Sequence, residues 1–132
     1  MPQTIPQRPD LGFQMRLAGG PQAASRARTE LSRLREELEP PVLESARLLV
    51  TELVTNAVRH AGVATIDIAV KVRPESMRVD VSNHGTSFEA HARLPRADQE
   101  SGWGLFLVDR LSDEWGVVNE PGRQRVWFEL RR

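Results

Sequence analysis

The chain has 132 residues, which suffices for one domain with a single core but not for two. Hydrophobic residues make up 39% and charged residues 27%, as in ordinary globular proteins. Lysine plus arginine and aspartate plus glutamate each total 18, so the formal net charge is zero and the basic excess of nucleic-acid binders is missing. Because this basic excess is missing, we expect no direct contact with nucleic acid. The sequence contains no cysteine, which excludes disulfides, zinc–thiolate sites and a thiol nucleophile.

Residues 1–11 are predicted to form a flexible, proline-rich tail ahead of a single domain over residues 12–132. Prolines stand at positions 2, 6 and 9, and the apolar core of a signal peptide is missing there. No uncharged apolar run approaches the roughly 20 residues that cross a bilayer. We expect a cytoplasmic protein with no membrane segment, and the lack of cysteine suits that compartment.

The first half of the domain is predicted to contain one strand and two helices. Alternating apolar residues predict an edge strand over residues 12–18. A glycine pair ends it, and apolar residues at helical spacing predict a helix over residues 21–37. A proline pair then separates this helix from a second one, predicted over residues 41–61 and ended by Gly62.

The second half is predicted to be mostly strands. The elements in chain order are a strand over 64–73, a turn at 74–76, a strand from 77 to 81, a long loop over 83–101, a helix over 104–111, a strand over 115–118, a turn at 120–122 and a last strand over 126–130. Helices and strands thus occur in separate runs. This order predicts an α+β fold: a two-layer sandwich with helices on one face of a mixed, mostly antiparallel sheet.

Polar residues on the second helix form the first candidate site. Glu52 and Asn56 are four residues apart, so they share a face away from the apolar stripe, and His60 continues their row. A carboxylate beside an amide oxygen suits Mg²⁺ bound to phosphates. The carboxylate could instead accept a proton from an attacking hydroxyl. The alternative is an ordinary solvated helix face.

Two glycine-containing segments are the other candidates. Asn83 lies two residues before Gly85, at the predicted end of a strand. A polar side chain at this position can form hydrogen bonds with the edge of a nucleotide base. The alternative is an Asn-x-Gly turn. Gly102 and Gly104 precede Leu105 at a helix start, where backbone N–H groups can approach phosphate. The alternative is a plain junction between loop and helix.

Taken in order, these segments resemble the motifs of the GHKL (Bergerat-fold) ATPase superfamily, and in particular the anti-sigma factor serine kinases of actinobacteria. Residues 52–61 resemble its N box, residues 102–108 its second glycine box, and residues 126–130 its closing strand. The resemblance covers residues 13–131, nearly the whole chain.

The resemblance implies an ATP-binding domain that uses Mg²⁺. Asn56 would coordinate the Mg²⁺ that bridges the phosphates, and Glu52 would be the general base that activates a serine or threonine hydroxyl. Residues 86–100 would form a lid over the phosphates. The implied nucleotide-binding residues are Asn56, His60, Asn83, Gly85, Gly102, Gly104 and Leu105.

The resemblance also implies partners for the chain. Relatives phosphorylate an anti-anti-sigma protein of the STAS fold and bind a sigma factor, so we expect such partners here. They often dimerise, and a homodimer on an unassigned surface is a further expectation.

Two residues depart from the family pattern, and both fall on base recognition. Asn83 stands where the family usually has an aspartate that accepts a hydrogen bond from the adenine amino group, and a neutral acceptor is the weaker one. Arg125 stands where a small threonine near the base is common. Beside the kinase, two interpretations therefore stay open: a degenerate module that holds a partner without phosphoryl transfer, and a structural α+β domain with chance motifs.

Overall fold

The computed structural model describes residues 11–61, 65–84 and 103–132 of the chain. The described elements in chain order are β1 (Leu11–Ala18), α1 (Ala23–Leu31), a 3₁₀ turn (Ser32–Leu34), α2 (Pro40–Ala61), β2 (Thr65–Val72), β3 (Ser76–His84), α3 (Trp103–Leu111), β4 (Glu114–Glu120) and β5 (Arg123–Arg131). None of the helices in these ranges is long and apolar enough to cross a membrane. Leu11 already belongs to β1, and the rest of the predicted tail lies outside the described residues.

The five strands form one sheet in the order β1-β2-β3-β5-β4. Each pair of neighbours is antiparallel: Met15 lies opposite Ile68, Ile68 opposite Val81, and Val81 opposite Val126. β3 and β5 are adjacent although α3 and β4 lie between them in the sequence. The predicted α+β class and the hairpin of β2 and β3 are confirmed.

One face of the sheet is apolar because side chains alternate along each strand. The buried residues on this face are Leu17 of β1, Ile66, Ile68, Val70 and Val72 of β2, Met77, Val79 and Val81 of β3, and Phe128 and Leu130 of β5. They form one cluster with buried residues of all three helices. The helices therefore cover one face, as predicted. None of the described helices covers the other face, which we call the open face of the sheet.

The first helix ends earlier than its apolar spacing predicts. α1 stops at Leu31, and the chain continues in tighter turns in which Leu34 O accepts from Glu37 N–H at 3.0 Å and from Leu38 N–H at 2.9 Å. These turns keep Leu31, Leu34 and Leu38 buried. They also reverse the chain before the proline pair, which cannot continue a helix. The predicted helix end at Glu37 is therefore wrong.

Three strands extend beyond the residues that their apolar alternation predicts. β3 includes Asn83 and His84, so the predicted loop does not begin at Asn83. The backbone pairing with β5 continues to Gln124 and Arg123 although these side chains are polar. β4 and β5 are likewise longer than predicted. Apolar alternation marks the buried part of a strand, whereas backbone hydrogen bonds decide its length.

A two-residue turn of Pro121 and Gly122 joins β4 to β5. The turn lies where it was predicted but is one residue shorter, because Glu120 belongs to β4. Gly122 has a φ of 72°, a left-handed conformation that glycine adopts without steric strain. Proline before glycine suits a type II turn. The turn places Glu120 opposite Arg123 and thereby sets which residues of β5 face the helices.

Replacing Gly116 by alanine is expected to destabilise the fold by about 1–3 kcal/mol. A Cβ at this position would lie 2.7 Å from Nε1 and 2.9 Å from Cε2 of Trp127, the residue directly across the β4–β5 pair. The indole is also stacked by the Arg78 guanidinium at 4.2 Å. Urea unfolding measures the loss. Gly20→Ala is the matched control because its added methyl meets no atom within 4 Å, and equal losses in both variants would contradict the clash.

Candidate functional site

Glu52 and Asn56 lie one turn apart on α2, and both are half-buried. The buried stripe beside them consists of Leu49, Val50, Leu53, Val54 and Ala57. Because this stripe follows the helical period, the row of Glu52 and Asn56 is left at the rim of the core. The helix therefore holds a carboxylate and an amide oxygen on neighbouring positions of one face.

A hydrogen-bonded threonine fixes α2 immediately before Glu52. Arg28 of α1 donates from Nη1 to Thr51 Oγ1 at 3.2 Å, and Thr51 Oγ1 donates to Arg47 O at 2.7 Å. α1 and α2 also share buried side chains of the core. The first helix thus supports the segment of α2 that carries the acid, and sequence patterns gave no signal for this link.

The donor set of α2 fits a Mg²⁺ that is shared with phosphates. Mg²⁺ prefers oxygen ligands and is usually held by one or two protein groups together with substrate phosphates and water. Glu52 and Asn56 offer two such oxygens one turn apart. Within the part of the chain that the structure describes, no group of three or more histidine, cysteine, aspartate or glutamate side chains could hold a metal ion.

Asn83 is a buried polar residue at the end of the apolar face. Only 6% of it is exposed, and it pairs with Ile66 of β2 and Gln124 of β5 on the helix side of the sheet. Its Oδ1 accepts a hydrogen bond from the backbone N–H of Gln124 at 3.3 Å. Buried polar groups need such partners. β5 therefore sets the orientation of the Asn83 carboxamide.

Arg125 lies on the opposite face of the sheet from Asn83, so the two residues that depart from the family pattern do not share one face. It pairs with Ser82 of β3, and its Nε is 3.8 Å from Asp80 Oδ2 on the open face. Gln124, which pairs with Asn83, lies on the same face as Asn83, and its Nε2 donates to Asn119 Oδ1 at 3.0 Å. Strand alternation explains this placement, because Val126 packs against the core and its neighbour must point away.

The remaining predicted site residues are placed only in part. Leu105 is half-buried and packs against the core, and the backbone of Gly104 belongs to the same turn of α3. α2 packs against both α3 and β3. Gly85, Gly102 and the predicted lid lie outside the described residues, and for His60 only the helical backbone is described. The convergence of all these groups on one triphosphate-sized hollow stays a prediction.

The open face of the sheet holds a charged network that sequence patterns missed. Arg78 donates from Nε to Asp80 Oδ1 at 2.9 Å and from Nη2 to Oδ2 at 3.2 Å. Its guanidinium stacks on Trp127, and Nη1 lies 3.6 Å from Glu129 Oε2. The hydrogen bond to Asp80 is the main cause of the raised pKa of Arg78, which partial burial opposes. Arg78 therefore stays charged at any working pH.

Comparison with known families assigns the chain to one class of protein. Residues 17–130 match the family described as the histidine kinase-like ATPase domain. This match covers most of the chain, and the chain belongs to that family.

Within this family, the chain is similar to the serine-protein kinase RsbW of Staphylococcus aureus. The two are 32% identical over 96 residues, which is 61% of this chain and 60% of the relative. RsbW of the JH9 strain is 31% identical with the same coverage. The chain thus spans about 60% of the length of the curated relatives that it matches.

A solved structure has the same fold. The crystal structure of the RsbU and RsbW domains of Rv1364c from Mycobacterium tuberculosis matches with a TM-score of 0.69 and 19% sequence identity. The match covers 93% of this chain and 33% of that one.

Proposed function

We propose that this chain binds ATP with Mg²⁺ and transfers the γ-phosphate to a serine or threonine of a STAS-type anti-anti-sigma protein. We further propose that it holds a sigma factor and acts in the cytoplasm. Membership of the histidine kinase-like ATPase family and similarity to a serine-protein kinase support the first step. The observation that carries the proposal is the pairing of Glu52 with Asn56 on one half-buried face of α2.

These two residues have complementary roles in the proposed reaction. Asn56 would hold the Mg²⁺ through its amide oxygen, and the ion would neutralise part of the phosphate charge. Glu52 accepts the proton of the attacking hydroxyl while the hydroxyl oxygen bonds to the γ-phosphorus and the bond to the ADP oxygen breaks. Thr51, held by Arg28, keeps this turn of α2 in place.

The groups that hold the rest of the nucleotide are proposed from the family motifs. Gly102 and Gly104 approach the phosphates with their backbone N–H groups, which the start of a helix favours. Asn83 reads the base from the end of β3, beside Gly85. His60 and Leu105 complete the nucleotide-binding set.

Two measurements on the purified chain test this function. Calorimetric titration with MgATP is expected to show micromolar binding, and radiolabelled ATP with a purified STAS partner is expected to give phosphoserine or phosphothreonine. Absence of MgATP binding would contradict the proposal as a whole. Binding without transfer to a cognate partner would contradict the kinase step alone.

Replacing Asn83 by aspartate is expected to tighten ATP binding by about tenfold. A carboxylate is the stronger acceptor for an adenine amino group, and its second oxygen can still accept from Gln124 N–H, as Oδ1 does in Asn83. Calorimetry with ATP measures the change. Asn119→Asp adds the same charge at an exposed position of β4 and is the matched control. Unchanged or weaker binding in Asn83→Asp alone would show that this side chain does not face the base.

A second candidate function is a module that binds a protein partner without phosphoryl transfer. The neutral Asn83 at the position of the family's aspartate favours this candidate, because it removes the charge-assisted hydrogen bond to adenine. Such a module should bind the partner equally well with and without MgATP, whereas the proposed kinase should release a phosphorylated partner.

A further inference from the structure

The open face of the sheet carries a cationic groove, which we call the sheet groove. It has a volume of about 740 Å³ and runs across β1, β2, β3 and β5, on the side away from the helices. Two carboxylates, Asp67 and Asp80, lie in it. They face six cationic side chains, which are Arg16, Lys71, Arg73, Arg78, Arg123 and Arg125. Among the described residues, the lining of the groove thus has more cationic than anionic side chains, although the whole chain has zero formal net charge.

Both carboxylates of the sheet groove are already used by arginines. Arg16 Nε donates to Asp67 Oδ1 at 2.7 Å, and Arg78 binds Asp80 through two nitrogens. Among the described residues, neither Lys71 nor Arg123 lies within ion-pair distance of a carboxylate. No carboxylate of the described residues therefore neutralises these two side chains.

The sheet register adds repulsion between cations of the sheet groove. Lys71 lies directly opposite Arg78 in the β2–β3 pair, and like charges in that position destabilise a sheet. A carboxylate bound between the two side chains would offset this repulsion.

Arg123 and Arg125 also have incompletely bonded guanidinium groups. Arg123 Nη2 donates to the buried Ser82 Oγ at 3.3 Å, whereas Nε of both arginines is buried without an acceptor among the described residues. Unsatisfied buried donors are unfavourable. An anion that draws these groups towards it would supply acceptors for a fork of N–H donors.

We propose that the sheet groove binds an acidic segment of a partner protein in extended conformation. Lys71 on β2 lies opposite Arg78, which lies opposite Glu129 of β5, and Arg123 is six residues from Glu129 along that strand. Lys71 and Arg123 are therefore separated by roughly 20 Å along the strands and about 10 Å across them, so a single anionic group cannot contact both. An extended segment with an acidic residue at every second position presents carboxylates about 7 Å apart on one side. Its intervening neutral residues can pass Asp67 and Asp80, whereas a continuous phosphate backbone would be repelled there. This inference does not depend on nucleotide binding by α2.

Fluorescence anisotropy with a labelled peptide tests the proposal. The probe is a peptide of about eight residues that alternates glutamate with serine and spans roughly 26 Å when extended. The double variant R123Q/R125Q is expected to bind it at least about tenfold more weakly than the unmodified chain. The double variant R26Q/R35Q removes the same charge from exposed positions outside the sheet groove and is expected to change binding by less than about twofold.

A second variant, which is expected to bind the peptide more tightly, keeps the proposal testable if R123Q/R125Q folds poorly. Asp67→Asn removes a carboxylate from the groove and is expected to tighten peptide binding by about threefold, which damage to the fold would not produce. Equal binding by R123Q/R125Q, or equal binding of a glutamine–serine peptide, would overturn the proposal. Tighter binding of duplex DNA would assign the groove to nucleic acid instead. Self-association that R123Q/R125Q abolishes in sedimentation would assign it to a second copy of the chain.

Discussion

Replacing Glu52 by glutamine is expected to lower the rate of phosphoryl transfer to the partner hydroxyl by about 10²–10⁴-fold, the usual contribution of a general base. Glutamine keeps the size of the side chain but cannot accept the proton. Because Asn56 remains to hold Mg²⁺, the affinity for MgATP should change by less than about threefold. Single-turnover transfer from radiolabelled ATP measures the rate, and calorimetry measures the affinity.

Glu44 provides the matched control for this experiment. It is an exposed glutamate two helical turns before Glu52 in the same row of α2, so Glu44→Gln makes the same chemical change without touching the proposed base. Its transfer rate should stay within about twofold of the unmodified chain. Full labelling by Glu52→Gln would remove Glu52 from the base role. Loss of MgATP binding in that variant would make Glu52 a ligand-binding residue instead.

Replacing Phe128 by alanine is expected to lower the free energy of unfolding by about 3–5 kcal/mol. Phe128 on β5 is fully buried and is the largest such side chain in the described core. It lies opposite Val79 of β3 and Trp115 of β4, so its loss opens a cavity where three strands meet the helices. Small domains have only about 5–15 kcal/mol in total, and the melting temperature should fall by roughly 10–20 °C.

Phe106 on α3 allows the same substitution at an exposed position. It is 37% exposed, and Arg110 lies over its ring at 5.5 Å. Phe106→Ala is therefore expected to cost less than about 1.5 kcal/mol. Urea unfolding of both variants measures the difference. Similar losses for the two phenylalanines would mean that the core is not organised around Phe128. Phe128→Leu, which restores much of the volume, should recover part of the loss.

The elements that could be predicted best are those whose apolar residues recur at one regular spacing along the sequence. The alternation in β1 and β2 and the long apolar stripe of α2 follow from local geometry and burial of one face, and their bounds agree with the structure within one or two residues. The first helix could not be predicted as well, because its end is decided by the chain reversal before Pro40. Local periodicity contains no information on that reversal.

The candidate site shows the same division between local and long-range information. Glu52 and Asn56 share a face because helix geometry requires it, so sequence spacing suffices to place them together. Arg125 was expected near the base together with Asn83, whereas alternation outward from Val126 places these two residues on opposite faces. The network of Asp80 with Arg125 could not be predicted, since it requires β3 to lie beside β5 across an intervening helix and strand.

The alternation of apolar and charged residues in β5 allows only one register of this strand. Val126 and Phe128 face the helices, whereas Arg123 and Arg125 face the sheet groove. A shift of the whole of β5 by one residue against β3 and β4 would exchange the two sets, placing guanidinium groups in the apolar layer and the Phe128 ring in water. Variation in length near this strand must therefore be taken up in the turn at Gly122, or occur in steps of two residues.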